Sequence, residues 1–158
     1  MITEYAALPA RAARLALSDP GSALLAARMG AWVVAFTLLL RLLPLPRALG
    51  LVAPLRARPR AADPERVQAR LARLLDSMLA ADVWVFTPTC WKRAAVLHRF
   101  LALSGIETRV LFGVRREGED ALSGHAWLEA GGAPLLETTP PRYTVTYSFP
   151  AEAGGRQK

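Results

Sequence analysis

The apolar residues of this chain keep helical spacing as far as Leu103 and turn to strand-forming runs from Thr108 onward, so helices come first and a sheet last. That order predicts an α+β class, with helices gathered on one side of an antiparallel sheet. Ala-rich residues 4–17 and residues 22–43 read as two helices separated by Ser18-Asp19-Pro20-Gly21, with Ser22 placed to cap the second. Pro44 and Pro46 end it, residues 47–53 allow one more short helical turn, and Arg56-Ala57-Arg58-Pro59-Arg60 is a charged connector. Asp63-Pro64-Glu65 combines a capping carboxylate, a Pro suited to the first helical position and an acid in the first turn. Val67, Leu71, Leu74, Leu75, Met78 and Leu79 then share a face, which predicts an amphipathic helix over 64–81. Cys90 opens a further helix that runs to Leu103 and stops at Ser104-Gly105, where Gly supplies a left-handed cap. Strands are expected at 108–114 and 124–130, either side of a charged loop at 115–120, and again at 134–138 and 144–149. The chain thus divides into a helical preamble (1–60), a helix-and-sheet unit (61–150) and a polar tail (151–158).

Composition narrows the class of function. With 53% apolar residues the chain has enough surface to bury, and 158 residues suit one compact domain. A single Cys excludes an internal disulfide framework and any CxxC metal or redox site. The first sixty residues carry eight arginines against Glu4 and Asp19, whereas the remainder is nearly balanced. Those arginines alternate with Leu, Ala and Val, not with the aromatic and polar residues of a nucleic-acid groove, so no nucleic-acid partner is expected. A basic, apolar helix against a membrane surface or an acidic partner fits better. Arginines that merely solubilise a Leu-rich layer fit as well. The longest uncharged run, Met29 to Leu40, has twelve residues where a bilayer needs about 20, and no A-x-A cleavage site follows. The expectation is a buried or interfacial helix in a cytoplasmic protein, at most peripheral to the inner face of the membrane.

Chemistry concentrates in the second half. Cys90 stands at a helix N-terminus, where unpaired N–H groups and the macrodipole favour a thiolate, although a lone Cys is more often an inert buried one. A cysteine nucleophile needs a base, and the chain has two histidines. His98 lies eight residues along the same helix, roughly 12 Å away, and reads as a helix-surface His. His125 sits on a strand able to reach the helix start, and Gly124 before it leaves room. The chain contains no Asn, so the group that orients the imidazole must be a carboxylate. Glu129 shares the His125 face but lies about 13 Å along the strand, so Glu137 on the return strand is the better candidate; its plainer reading is an exposed acid at a strand edge. Side chains directly opposite in an antiparallel pair share a face, so a two-residue Gly131-Gly132 turn pairs Ala126 with Glu137 and sends the acid away. A three-residue loop, using Ala130 or Ala133, is therefore expected. No metal-ligand spacing, phosphate-binding loop or GxSxG elbow is present, and no cofactor is expected.

The runs Cys90-Trp91-Lys92-Arg93-Ala94, Ser104-Gly105-Ile106-Glu107-Thr108-Arg109-Val110, Phe112-Gly113-Val114 and Gly124-His125-Ala126-Trp127-Leu128-Glu129 closely resemble the lasso-peptide leader peptidases. These are transglutaminase-like cysteine proteases that excise the leader from a ribosomally made lasso precursor. The likeness covers about residues 30–138, including the break at Leu42-Leu43-Pro44-Leu45. It implies a transglutaminase-like, papain-like protease core under an N-terminal helical layer. It implies Cys90 as nucleophile, His125 as base and Glu137 as acid, where the family more often has Asp. It further implies hydrolysis through a thioester, with a backbone N–H near Cys90 in the oxyanion hole. The implied partners are a lasso precursor peptide, with Thr usual next to last in the leader, and a macrocyclising synthetase. Some relatives are linked to ATP, for which no residue can be assigned here. Single-chain relatives carry a winged-helix-like recognition domain with a small strand set, and residues 1–60 contain no hairpin of that kind. A separate leader-recognition protein is therefore expected. Two other functions stay open: acyl transfer to an amine by the same thioester, and a non-catalytic basic helical scaffold at a membrane or protein partner.

Overall fold

Asp19, not Ser22, caps the first helix seen in the computed structural model, which describes residues 19–54, 59, 61–117, 121–137 and 139–151. The expected helix over 4–17, most of the connector at 56–60, the loop residues 118–120 and all but the first residue of the tail lie outside the described residues. In helix α1 (Pro20–Leu42) the proline takes the first position, and Asp19 Oδ1 accepts from the Ser22 backbone N–H at 3.1 Å. Ser22 is buried inside the first turn, where its hydroxyl donates to Asp19 and accepts from Arg70. Arg28 and Arg41 are exposed, so the helix extends well past the uncharged run, with Met29, Val33 and Phe36 fully buried along one side. Pro44 then starts α2 (Leu45–Val52), which buries Ala48, Leu49 and Val52. In α3 (Pro64–Leu79), Asp63 accepts from the Arg66 N–H at 3.0 Å as the cap expected there. The helix ends two residues short of 81, and Asp82 turns left-handed at φ 46°.

The next helix, α4 (Cys90–Ala102), is covered on several sides at once. Ala94, Leu97 and Leu101 join Met29, Val33, Leu71 and Leu75 from the helices and Val110, Ala126 and Leu128 from the sheet in one core. Ala95 belongs to a second core with Phe36, Ala48, Leu49 and Val52. Arg99 ties the layer together: its guanidinium lies 3.7 Å from the Trp32 ring centre and donates to the Val52 carbonyl at 2.6 Å. Gly105, at φ 71°, closes the end of the helix as its sequence predicts.

Four antiparallel strands follow, β1 (Arg109–Glu117), β2 (Ala121–Ala130), β3 (Ala133–Leu135) and β4 (Thr144–Phe149), in the order β3-β2-β1-β4. The first runs into the expected charged loop, because Arg115, Arg116 and Glu117 still pair with Ser123, Leu122 and Ala121. Helices on one side and an antiparallel sheet on the other make the class α+β.

His98 is not the helix-surface residue that its spacing predicts. Only 4% of it is exposed, because α4 has no free side at that level, and its Nδ1 lies 2.9 Å from the Thr108 hydroxyl. Loss of hydration pulls its pKa from 6.5 down to about 4. Between those values the unfolded chain binds a proton that the folded chain does not, so stability falls as pH drops from 6.5 toward 4. Relative to His98→Leu, wild type should lose about 3 kcal/mol of unfolding free energy between pH 7 and pH 4, measured by urea unfolding at each pH.

Candidate active site

The chain reaches Cys90 through an irregular segment fixed from inside the helix it leads to. Trp84 is left-handed at φ 52°, and the Phe86 N–H donates to the Val83 carbonyl at 2.9 Å. Lys92, 4% exposed, turns back and donates to the Val85 carbonyl at 2.8 Å and the Thr87 hydroxyl at 2.6 Å. Burial lowers its pKa, an effect that Asp82 opposes. The lysine therefore holds the approach segment against the first turn of α4. Thr89 caps that turn in extended conformation without a side-chain hydrogen bond, so no capping side chain occupies the first N–H groups of the helix. Cys90 itself is a half-buried free thiol.

His125 sits on β2 directly opposite Gly113 of β1. A side chain at Gly113 would stand 2.8 Å from Tyr143 Cβ and 3.0 Å from both the Thr144 carbonyl and the Trp127 ring. That close approach lets Tyr143 and Trp127 flank the imidazole, with ring centres 5.3 and 5.9 Å from it. Gly124, the residue expected to make room, has only the Gly113 carbonyl near it, at 4.0 Å. The crowded position is thus on the neighbouring strand.

Glu137 reaches His125 by a route that the pairing argument excluded. The turn is the tight one: Ala130 pairs with Ala133 across Gly131 and Gly132, both left-handed at φ 59° and 82°. The expected three-residue loop is therefore wrong. Glu137 is not sent away, because the ladder stops at Leu135 and Leu136 adopts φ 60°, a conformation that costs a non-Gly residue about 1–2 kcal/mol. That single left-handed residue breaks the alternation on which the parity argument rests. The Glu137 carboxylate then accepts from His125 Nε2 at 3.4 Å. A carboxylate only accepts, so Nε2 carries the hydrogen, and in the neutral ring Nδ1 keeps its lone pair.

Cys90 and His125 line one pocket of about 450 Å³, walled mainly by apolar groups that include Leu40, Leu45, Trp91 and Phe112. Among the described residues no hydrogen bond joins the thiol to either ring nitrogen of His125. A larger pocket of about 760 Å³ lies beside His98, Thr108 and Gly132 and contains none of the three candidate residues. Among the described residues no three His, Cys, Asp or Glu side chains converge on a metal position. Lys92 and the partners of Glu137 were not legible from periodicity. The only signal was the run Cys90-Trp91-Lys92-Arg93, two cations in the first turn of the helix just after a candidate nucleophile.

A family model described as the transglutaminase-like superfamily matches residues 30–148, a span that contains Cys90, His125 and Glu137. No curated protein and no solved structure matches the chain.

Gly113→Ala should destabilise the fold by about 1–3 kcal/mol in urea unfolding, since its Cβ has no space beside Tyr143. Gly124→Ala, which meets nothing closer than 4.0 Å, should stay near wild type.

Proposed function

The chain belongs to the transglutaminase-like superfamily, and from that membership we propose that it is a cysteine peptidase that removes the leader from a lasso precursor peptide before macrocyclisation. The observation that carries this reading is the His125 ring, engaged by Glu137 at Nε2 and free at Nδ1, in the pocket that also contains Cys90. In the proposed reaction Nδ1 takes the Cys90 proton, and the thiolate attacks the carbonyl of the last leader residue. The N–H groups of the first turn of α4 face the developing oxyanion. His125 returns the proton to the departing amine of the core peptide, which leaves the leader bound as a thioester. Water, deprotonated by His125, then releases the leader as a carboxylic acid and restores the thiol. Glu137 orients the imidazole and stabilises its cation throughout. The nearly apolar wall around Cys90 favours an uncharged residue beside the cleaved bond.

The superfamily includes cysteine peptidases and acyltransferases. Both share the chemistry as far as the thioester, and the acceptor decides between them. The lasso reading rests on the residue runs given above. In it the protein works in the cytoplasm beside a separate leader-recognition protein and a macrocyclising synthetase, with no cofactor of its own. Exposed Leu24, Leu38 and Leu42 on α1 are where we place contact with a partner or the membrane surface. By length and composition α1 is also sufficient to cross a membrane, and Met29, Val33 and Phe36 along one side of it are buried in the protein core. Removing residues 1–60 would therefore empty that core, and the docking role is better tested by changing the outward leucines.

Incubation of precursor and protein, followed by mass spectrometry, should yield a free leader acid. An amide of the leader with an added amine, and no acid, would instead establish acyl transfer. Cys90→Ala and His125→Ala should each reduce cleavage about a thousandfold or more while the fold survives, and Glu137→Ala should lose less. Full cleavage by Cys90→Ala would end the peptidase reading. Adding the recognition protein should accelerate cleavage by the wild-type chain, and Leu38→Glu with Leu42→Glu should reduce that acceleration without changing the unassisted rate.

A further inference from the structure

Arg93 stands one turn after Cys90 on the same side of α4, and its guanidinium is shared between two carboxylates. Nε and Nη2 donate to the two oxygens of Asp76 on α3 at 2.7 and 3.2 Å, a bidentate fork. Nη1 lies 3.8 Å from Oε1 of Glu137, whose other oxygen, Oε2, accepts from His125. Glu137 is just past left-handed Leu136 and beyond the last ladder pair of β3, so the sheet itself does not fix its direction. The side chains of Arg93 and Glu137 are 28% and 19% exposed, which places their contact out of full solvent screening.

We propose that Arg93 is a positioning residue: braced by Asp76, it holds the Glu137 carboxylate against the His125 ring, so that α4 carries both the thiol and the clamp on its acid. The proposal rests on the assignment of Glu137 to the catalytic site. It also gives a reason for arginine at this position, since a rigid planar fork spans two carboxylates and a lysine point charge does not.

The test is a double-mutant cycle on the full chain, read by the rate of Cys90 alkylation with iodoacetamide at pH 7, which requires no substrate. Thermal unfolding of each variant is recorded alongside. Glu137→Gln and Arg93→Gln should each slow alkylation, by roughly tenfold, and the double variant should be no slower than the slower single. Arg93→Lys should resemble Arg93→Gln. Asp76→Asn keeps the Arg93 charge but removes its brace and should slow alkylation about threefold, the smaller effect expected of a more distant partner. That variant decides the matter if Arg93→Gln does not fold. On precursor cleavage the same variants should lower kcat and leave KM unchanged. Losses that multiply in the double variant, or a wild-type rate in both Arg93→Gln and Asp76→Asn, would overturn the clamp while leaving Glu137 in the site. A wild-type rate in Glu137→Gln would instead overturn the role of Glu137 and the clamp with it.

Discussion

Everything in this protein hangs on the burial of α4. A helix covered by three other helices and a sheet has almost no solvent face, and this one spends its polar residues inward: Lys92 on the approach segment, His98 on Thr108, Arg99 on Trp32 and the α2 terminus. Buried polar groups must find partners, and each partner here belongs to a different part of the chain. The helix thereby sets the positions of the elements around it as much as they set its own. Cys90 gains a rigid base from this arrangement, because the turn that carries the thiol continues directly into the best-packed part of the molecule.

What the sequence makes legible follows the range of the interaction that determines it. The cap at Asp63, the left-handed stop at Gly105 and the boundaries of α4 depend on residues a few positions apart, and they are readable as such. Asp19 caps α1 in place of the expected Ser22 because both are capping types, and the proline at the first helical position decides for Asp19. His98 departs from its expected place for another reason. A helical wheel shows two faces, whereas the number of neighbours that a helix acquires is a tertiary fact. Arg93 carries no local sign of its role, because its partners lie 17 and 44 residues away, on α3 and beyond β3.

The placement of Glu137 shows where a sound rule fails. Parity across a hairpin holds only while the strand continues, and β3 continues for three residues. The need for a carboxylate points to Glu137 by chemistry and not by backbone path, and its Oε2 lies 3.4 Å from His125 Nε2. A Leu with positive φ carries no mark in sequence, unlike the Gly pair before it. Local strain of this kind is tolerated where the surroundings over-determine the conformation, and Leu136 is packed against the main core.

The wall that α1 and α2 lend to the Cys90 pocket bears on how such a chain can be recombined. Leu40 and Leu45 face the thiol's pocket while Met29, Val33 and Phe36, on the same helical layer, fill the interior. A layer that is at once foundation and pocket lining cannot be traded as a cassette for another domain. New modules can be spliced only outside it, and any change at Leu40 or Leu45 reshapes the pocket beside Cys90.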